Sequence, residues 1–323
     1  MEMVNARELC KDHGMRLATP LLPLLALTTL ALACGTAKST FQDAPPASDG
    51  LDGGSSSGTI GGGKTEGGVG SNQRGCSEAA KLVYVVSDLN ELFSFKPDTG
   101  TFAKIGELKC PSGSTPNSMA VDRTGVAWVN FSDGNLFKVS TTDASCAATS
   151  YVPDQEGFHT YGMAFATNGA TSEEETLYVV GIQGVNAGKG LAKIDLTSMK
   201  LTTIGDFSGD LQGQGAELTG TGDGRLYGFF TTKPDAKLAR IDTATGATTD
   251  ESTLTGVSTG DAWAFSFWGG DFWFYTAVRP MFTVLTRKQS STDGNLSTVK
   301  QDVGGFRIVG AGVSTCAPTT PPR

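Results

Sequence analysis

Between residues 76 and 316 the chain alternates short apolar runs with polar punctuation. The runs are rich in β-branched and aromatic residues at a period of two, and Gly, Asp-Gly and Thr-Gly turns separate them, the pattern of half-buried strands and tight turns. One run returns five times: KLVYVVS (81–87), VAWVNFS (126–132), TLYVVGI (176–182), RLYGFFT (225–231) and DFWFYTA (271–277). Tyr84, Trp128, Tyr178, Tyr227 and Trp273 occupy the same place in each copy.

Each copy has companions. A second run follows at 92–95 (LFSF), 136–139 (LFKV), 191–194 (LAKI) and 238–241 (LARI), with MFTVL at 281–285 as a looser fifth. A turn such as Asp98-Thr99-Gly100 then leads to an outer run such as FAKIGEL or LTTIGDF. Ahead of each aromatic run stands another: SMAVD at 118, GMAFA at 162, ELTGT at 217 and WAFSF at 263, so the starts step by 44, 55 and 46 residues. Four short strands per repeat at a period of about 40–50 residues describe a β-propeller blade.

The 241 residues from Cys76 to Cys316 hold five such steps. The first blade, at 81–108, lacks its innermost strand, and a surplus strand, FRIVGAGVS (306–314), follows the fifth. The expected fold is therefore all-β: a five-bladed β-propeller of four-stranded antiparallel blades, closed by a C-terminal strand that completes blade one and leaves no open edge. Of the six Cys, Cys76, Cys110, Cys146 and Cys316 fall in this region, which permits three pairings. Ring closure selects Cys76–Cys316 and leaves Cys110–Cys146 to bridge neighbouring blades. Both suit an oxidising, exported compartment.

The N-terminal part reads differently. Leu17 to Ala33 is a 17-residue run without a charge, interrupted by Pro20 and Pro23 and preceded by Arg16. It is shorter than the ~20 residues of a spanning helix and has the layout of a secretory signal, which assigns residues 1–33 to a signal peptide. Residues 1–14 do not look like a signal start, and Met15-Arg16 does, so Met15 reads as an alternative initiation point. The ending Leu30-Ala31-Leu32-Ala33-Cys34-Gly35 resembles a bacterial lipobox. The resemblance implies cleavage before Cys34 and acylation of its thiol. Gly35 differs from the Asp that resembles an inner-membrane retention signal, which points to the outer membrane.

Residues 34–75 are then the lipidated Cys and a Gly/Ser-rich tether with almost no large apolar side chain, too poor in burial to offset ordering entropy. As a Gly-rich coil it would span roughly 35 Å. Within it, Gly58 to Thr65 (GTIGGGKT) matches the phosphate-loop pattern GxxxxGK[ST]. That motif works where a strand delivers the loop and a helix receives it. Neither flank here is of that kind, so no nucleotide is expected. The propeller occupies 76–318 and a tail 319–323.

Composition narrows the function without naming it. The formal charge is −8, from 25 Lys and Arg against 33 Asp and Glu, the wrong sign for nucleic acid. There are two His, and His13 precedes the cleavage point, which leaves His159. No Ser–His–Asp set with a spare His, Cys/His metal spacing or dinucleotide fingerprint is present.

The blades resemble those of bacterial exported propellers of the broad NHL, YVTN and gluconolactonase-like class; they lack the Trp-Asp of WD repeats and the double Gly of kelch blades. In such a fold the loops entering the innermost strands gather at one channel mouth with the turns between second and third strands. Here those entries carry Asn117, His159, Tyr161, Gln214, Glu217, Asp261 and Trp263. Glu217 begins an inner strand where other repeats have Ser118, Gly162 and Trp263. With Asp261 and Asn117 it could hold Ca²⁺, a cation that takes oxygen ligands, loosely like the channel metal the resemblance implies. The plainer expectation is a solvated channel residue or a pair with Arg307, and for His159 a loop residue.

The aromatic block from Trp263 to Tyr275 is expected to fill the core, with Trp268 the member to check for exposure. The Ser-Asp-Gly-Asn run at 132–135 reads as a tight turn. The expected function is a lipid-anchored envelope protein presenting a non-catalytic binding or scaffolding propeller to an unknown envelope protein or small ligand. The competing class is a metal-dependent lactonase-like hydrolase or lyase at the channel mouth.

Overall fold

The computed structural model describes residues 76–182, 188–289 and 295–322. The run read as a signal peptide, Cys34, and the stretch read as a tether with its GxxxxGK[ST] match lie outside the described residues. The described chain forms five four-stranded antiparallel sheets. Blade one orders β20 (Ile308–Val313), β1 (Val83–Ser87), β2 (Glu91–Lys96) and β3 (Thr101–Glu107) from the axis outwards. Blade two runs through β4 (Pro116–Val121), β5 (Val126–Phe131), β6 (Leu136–Ser140) and β7 (Cys146–Ala148). Blade three has β8 (Tyr161–Thr167), β9 (Glu175–Gly181), β10 (Leu191–Asp195) and β11 (Lys200–Gly205). Blade four has β12 (Ala216–Gly220), β13 (Leu226–Phe230), β14 (Ala236–Ile241) and β15 (Thr248–Leu254). Blade five has β16 (Ala262–Trp268), β17 (Asp271–Ala277), β18 (Val284–Gln289) and β19 (Leu296–Lys300).

The inner strands meet in the cyclic order β20, β4, β8, β12, β16 and back to β20. The ring is closed as the sequence implies, by β20 pairing antiparallel with β1 from Val83↔Val313 to Val86↔Gly310. Cys76 and Cys316 join across 240 residues, and Cys110 joins Cys146.

Both faces of a blade are buried, so the core is five slabs between blades. The five matched aromatics explain themselves here: each lies on its strand's face towards the next blade. Tyr84 packs with blade two, Trp128 with blade three, Tyr178 with blade four, Tyr227 with blade five and Trp273 with blade one. Alternation sends Ala164 and Ala166 of β8 to one slab and Tyr161, Met163 and Phe165 to the other. Phe265, Phe267, Phe272, Trp273, Phe274 and Tyr275 are buried in these slabs. Trp268 is half-buried against blade one, its indole donating to the Lys81 carbonyl at 2.8 Å.

One element departs from the expected pattern. The third strand of blade five begins at Val284, and Met281 and Phe282 stand exposed in the preceding turn. Thr283 N–H donates to the Phe306 carbonyl at 3.1 Å rather than to β17, so the run MFTVL pairs with β17 only from Val284.

Near the axis the inner strands touch backbone to backbone. A Cβ at Gly162 would lie 2.1 Å from the Ala216 carbonyl oxygen, and one at Gly220 would lie 2.0 Å from that of Phe165. The void left between Ala120, Met163, Leu218 and Gly312 is too small for a water molecule. The axis is thereby blocked below its mouth.

Candidate functional site

Every inner strand starts at the same face, so its entry loop and the turns between second and third strands form one rim. They enclose a cup of about 760 Å³. Asn117, His159, Glu217, Asp261 and Trp263 all line it. Tyr161 and Gln214 do not. Tyr161 falls on the strand parity that packs against blade two and is fully buried there, beside Tyr151. Gln214 is half-buried in the loop before β12, away from the cup lining.

Asn117 owes its position to a bulge: Pro116 pairs with Phe131 and Ser118 with Asn130, so Asn117 is the extra residue. Its amide donates to Asn130 Oδ1 at 3.1 Å and to the Tyr161 carbonyl at 3.2 Å, tying blade two to blade three.

Glu217 is 1% exposed. Ser118 Oγ donates to its Oε2 at 2.8 Å. Ser118 lies on β4 and Glu217 on β12, with β8 of blade three between them in the ring, so the bond reaches past an intervening strand. Gly162 makes the crossing possible: a Cβ there would lie 2.8 Å from the Glu217 Cα. Burial pushes the Glu217 carboxyl well above its ordinary value, although the bonds from Ser118 and the Leu218 backbone pull the other way. Burial at the cup floor thus favours the protonated form of this acid.

The expected alternative partner of Glu217, Arg307, is engaged elsewhere. It precedes β20 and turns to the rim, where its Nε lies 3.6 Å from Asp88 and its Nη2 3.9 Å from Asp261. The Arg307 side chain is 8% exposed, and its Nε and Nη1 make no hydrogen bond. Arg279 completes this cluster: its backbone N–H donates to Asp261 Oδ2 at 2.6 Å and its Nη2 lies 3.8 Å from Asp88. Across the cup, His159 sets Nδ1 2.8 Å from Asp154 and Nε2 3.2 Å from the Ser132 carbonyl. Both partners are acceptors, and together they fix the plane of the ring.

Asn117, Glu217 and Asp261 all line the cup, and each has a partner: Ser118 donates to Glu217, Asp261 faces Arg307 and accepts from the Arg279 amide, and the Asn117 amide donates to Asn130 and to the Tyr161 carbonyl. Among the described residues no group of three or more His, Cys, Asp or Glu side chains gathers around one point. The 132–135 run is a tight turn, closed by Gly134 N–H to the Phe131 carbonyl at 2.8 Å.

Ser118, Asp88, Arg279 and Arg307 are functional candidates that sequence reasoning passed over or assigned differently. The missed signal was present: Asp88 and Arg279 sit just beyond the first and fifth aromatic runs, in the turns that share the mouth with the entry loops.

No family model matches the sequence, and no curated protein matches it. Among solved structures the chain is similar to a gluconolactonase from Xanthomonas campestris, at 14% identity and a TM-score of 0.41 over 68% of this chain and 72% of that one. It is similar to TolB from Acinetobacter baumannii, at 11% identity and a TM-score of 0.40 over 68% of this chain and 52% of the other. A PQQ-bound aldose sugar dehydrogenase from Streptomyces coelicolor aligns at 11% identity and a TM-score of 0.43 over 73% of this chain and 82% of its own. The five-blade count rests on the strand pairing of this chain, and nothing about the cup is carried over from these neighbours.

Proposed function

We propose that this protein is a lipid-anchored cell-envelope protein whose propeller is a non-catalytic binding module, with the blind cup as its receptor site. The observation that carries the reading is the way the polar groups of the cup hold one another. Ser118 fixes Glu217, Asp154 and the Ser132 carbonyl fix His159, and Arg307 and the Arg279 amide fix Asp261. A cup of this size with pre-positioned side chains suits recognition, because little ordering is left to oppose binding. The address rests on the sequence: a charge-free run ending at Cys34, then a Gly/Ser-rich tether.

The test has two parts. Palmitate labelling in the producing cell is expected to mark the protein and to be lost in Cys34→Ala. Thermal unfolding of the mature protein is then compared in excess Ca²⁺ and in chelator, beside hydrolysis of a panel of sugar lactones. The expected result is one midpoint in both conditions and no turnover above buffer. A calcium-dependent midpoint together with lactone turnover, both abolished by Glu217→Gln, would overturn the binding reading in favour of a lactonase-like hydrolase.

A further inference from the structure

The exposed large apolar side chains among the described residues are not scattered. Leu89, Val152, Val278, Met281 and Phe282 all stand on loops of the mouth face, and Val299, on the outer strand of blade five, is the exception. Met281 is 67% exposed, Leu89 65% and Phe282 44%. Leu89 and the 278–282 turn belong to adjacent blades, held together by the Asp88–Arg279 ion pair. None of the five lines the cup. A small molecule confined to the cup would leave them in water, whereas a partner large enough to cover the mouth would bury them.

We propose that the mouth face docks a cationic, apolar-bearing segment of a partner protein, which inserts at the cup and seats its apolar residues on Leu89, Val278, Met281 and Phe282. The proposal rests on the binding-module reading and adds the chemistry of the partner. Charge selects that chemistry. The described loops and turns of this face carry nine Asp and Glu against five Lys and Arg. An acidic rim attracts a cationic segment and repels both a second copy of the same face and an anionic lipid surface. The first described residue agrees: Cys76 joins Cys316 beyond the far ends of the inner strands, on the face opposite the mouth.

The probe is a displayed library of random peptides, panned against the mature protein and against its Met281→Ser/Phe282→Ser variant. Both substitutions lie on an exposed turn, so the variant should keep the parent's unfolding midpoint. Enriched peptides are expected to combine Lys or Arg with large apolar residues, to bind the variant about tenfold or more weakly, and to weaken at high salt. Enrichment of acidic or uncharged peptides, equal binding to the variant, or no enrichment at all overturns the proposal. So does dimerisation of the unmodified protein, or its binding to phosphatidylglycerol vesicles, if the same double substitution removes it. A small ligand that stabilises parent and variant equally would keep the cup as a receptor while removing this partner, so the two readings fail separately.

Discussion

Ser118 and Glu217 are 99 residues apart and belong to blades that are not neighbours, yet a 2.8 Å hydrogen bond joins them across the mouth of the axis. The bond runs over Gly162, whose missing side chain, like that of Gly220 on β12, lets β8 and β12 come close. It places a buried carboxyl, its pKa raised by desolvation, in the cup floor, and its properties can be measured directly.

Glu217 makes stability depend on pH. Its folded value lies above the ordinary 4.5, so the folded state holds the proton after the unfolded chain has lost it. Below about pH 4.5 the two states are matched; above it stability drains as pH rises, until the folded carboxyl itself ionises. Gln keeps the site uncharged and can still accept from Ser118. Glu217→Gln should match the parent at pH 4 and exceed it at pH 8 in urea unfolding; identical pH profiles would refute this. Glu217→Ala should cost about 1–3 kcal/mol by leaving Ser118 Oγ unpaired.

Glu175 acts on the opposite face. Burial raises its carboxyl to about 7, against bonds from the Arg123 amide at 2.8 Å and Thr315 Oγ1 at 2.7 Å that lower it. The same sign applies, so its contribution declines between about pH 4.5 and 7 and then levels. Carboxyl carbon NMR should give a midpoint near 7, and a midpoint below 5 would contradict the burial argument.

Gly162→Ala should cost about 1–3 kcal/mol by forcing the inner strands of blades three and four apart. It should also loosen the Ser118–Glu217 bond and bring the Glu217 midpoint down towards the ordinary range. Gly113→Ala is the control, because a Cβ there meets nothing within 4 Å. Equal midpoints for the two variants in thermal unfolding would sink the close-approach account.

The two disulfides should differ in value. By loop entropy, Cys76–Cys316 is worth about 5 kcal/mol and Cys110–Cys146 about 4. Replacing the first pair with Ser should therefore lower the unfolding midpoint more. It should also raise amide exchange in β20 and β1, the strands it clamps. Exchange confined to blade two would contradict its closing role.

The legible part of this protein was its repeating part. Tyr84, Trp128, Tyr178, Tyr227 and Trp273 mark the strands because each must fill the same slab between blades, and that demand recurs in sequence. The run at 281–285 was legible only in part, since its apolar letters fit a strand while Thr283 gives its N–H to the Phe306 carbonyl and the ladder begins at Val284. Of the candidate site, Asn117, His159, Glu217, Asp261 and Trp263 reached the cup because the entry loops could be located from the strands. Tyr161 stayed out because a one-residue step in a strand exchanges its faces.

Strand identity, blade number, ring closure and the cysteine pairing followed from the chain alone, because alternation and turn chemistry are local and the repeat supplies its own alignment. Only the tertiary structure decided which side chains meet at the axis: Ser118 with Glu217, Arg307 with Asp88 and Asp261, and Tyr161 withdrawn into a slab. Those meetings depend on the relative stagger of five inner strands and on how closely their backbones approach at glycine. A strand carries no local record of its height beside a partner a hundred residues away.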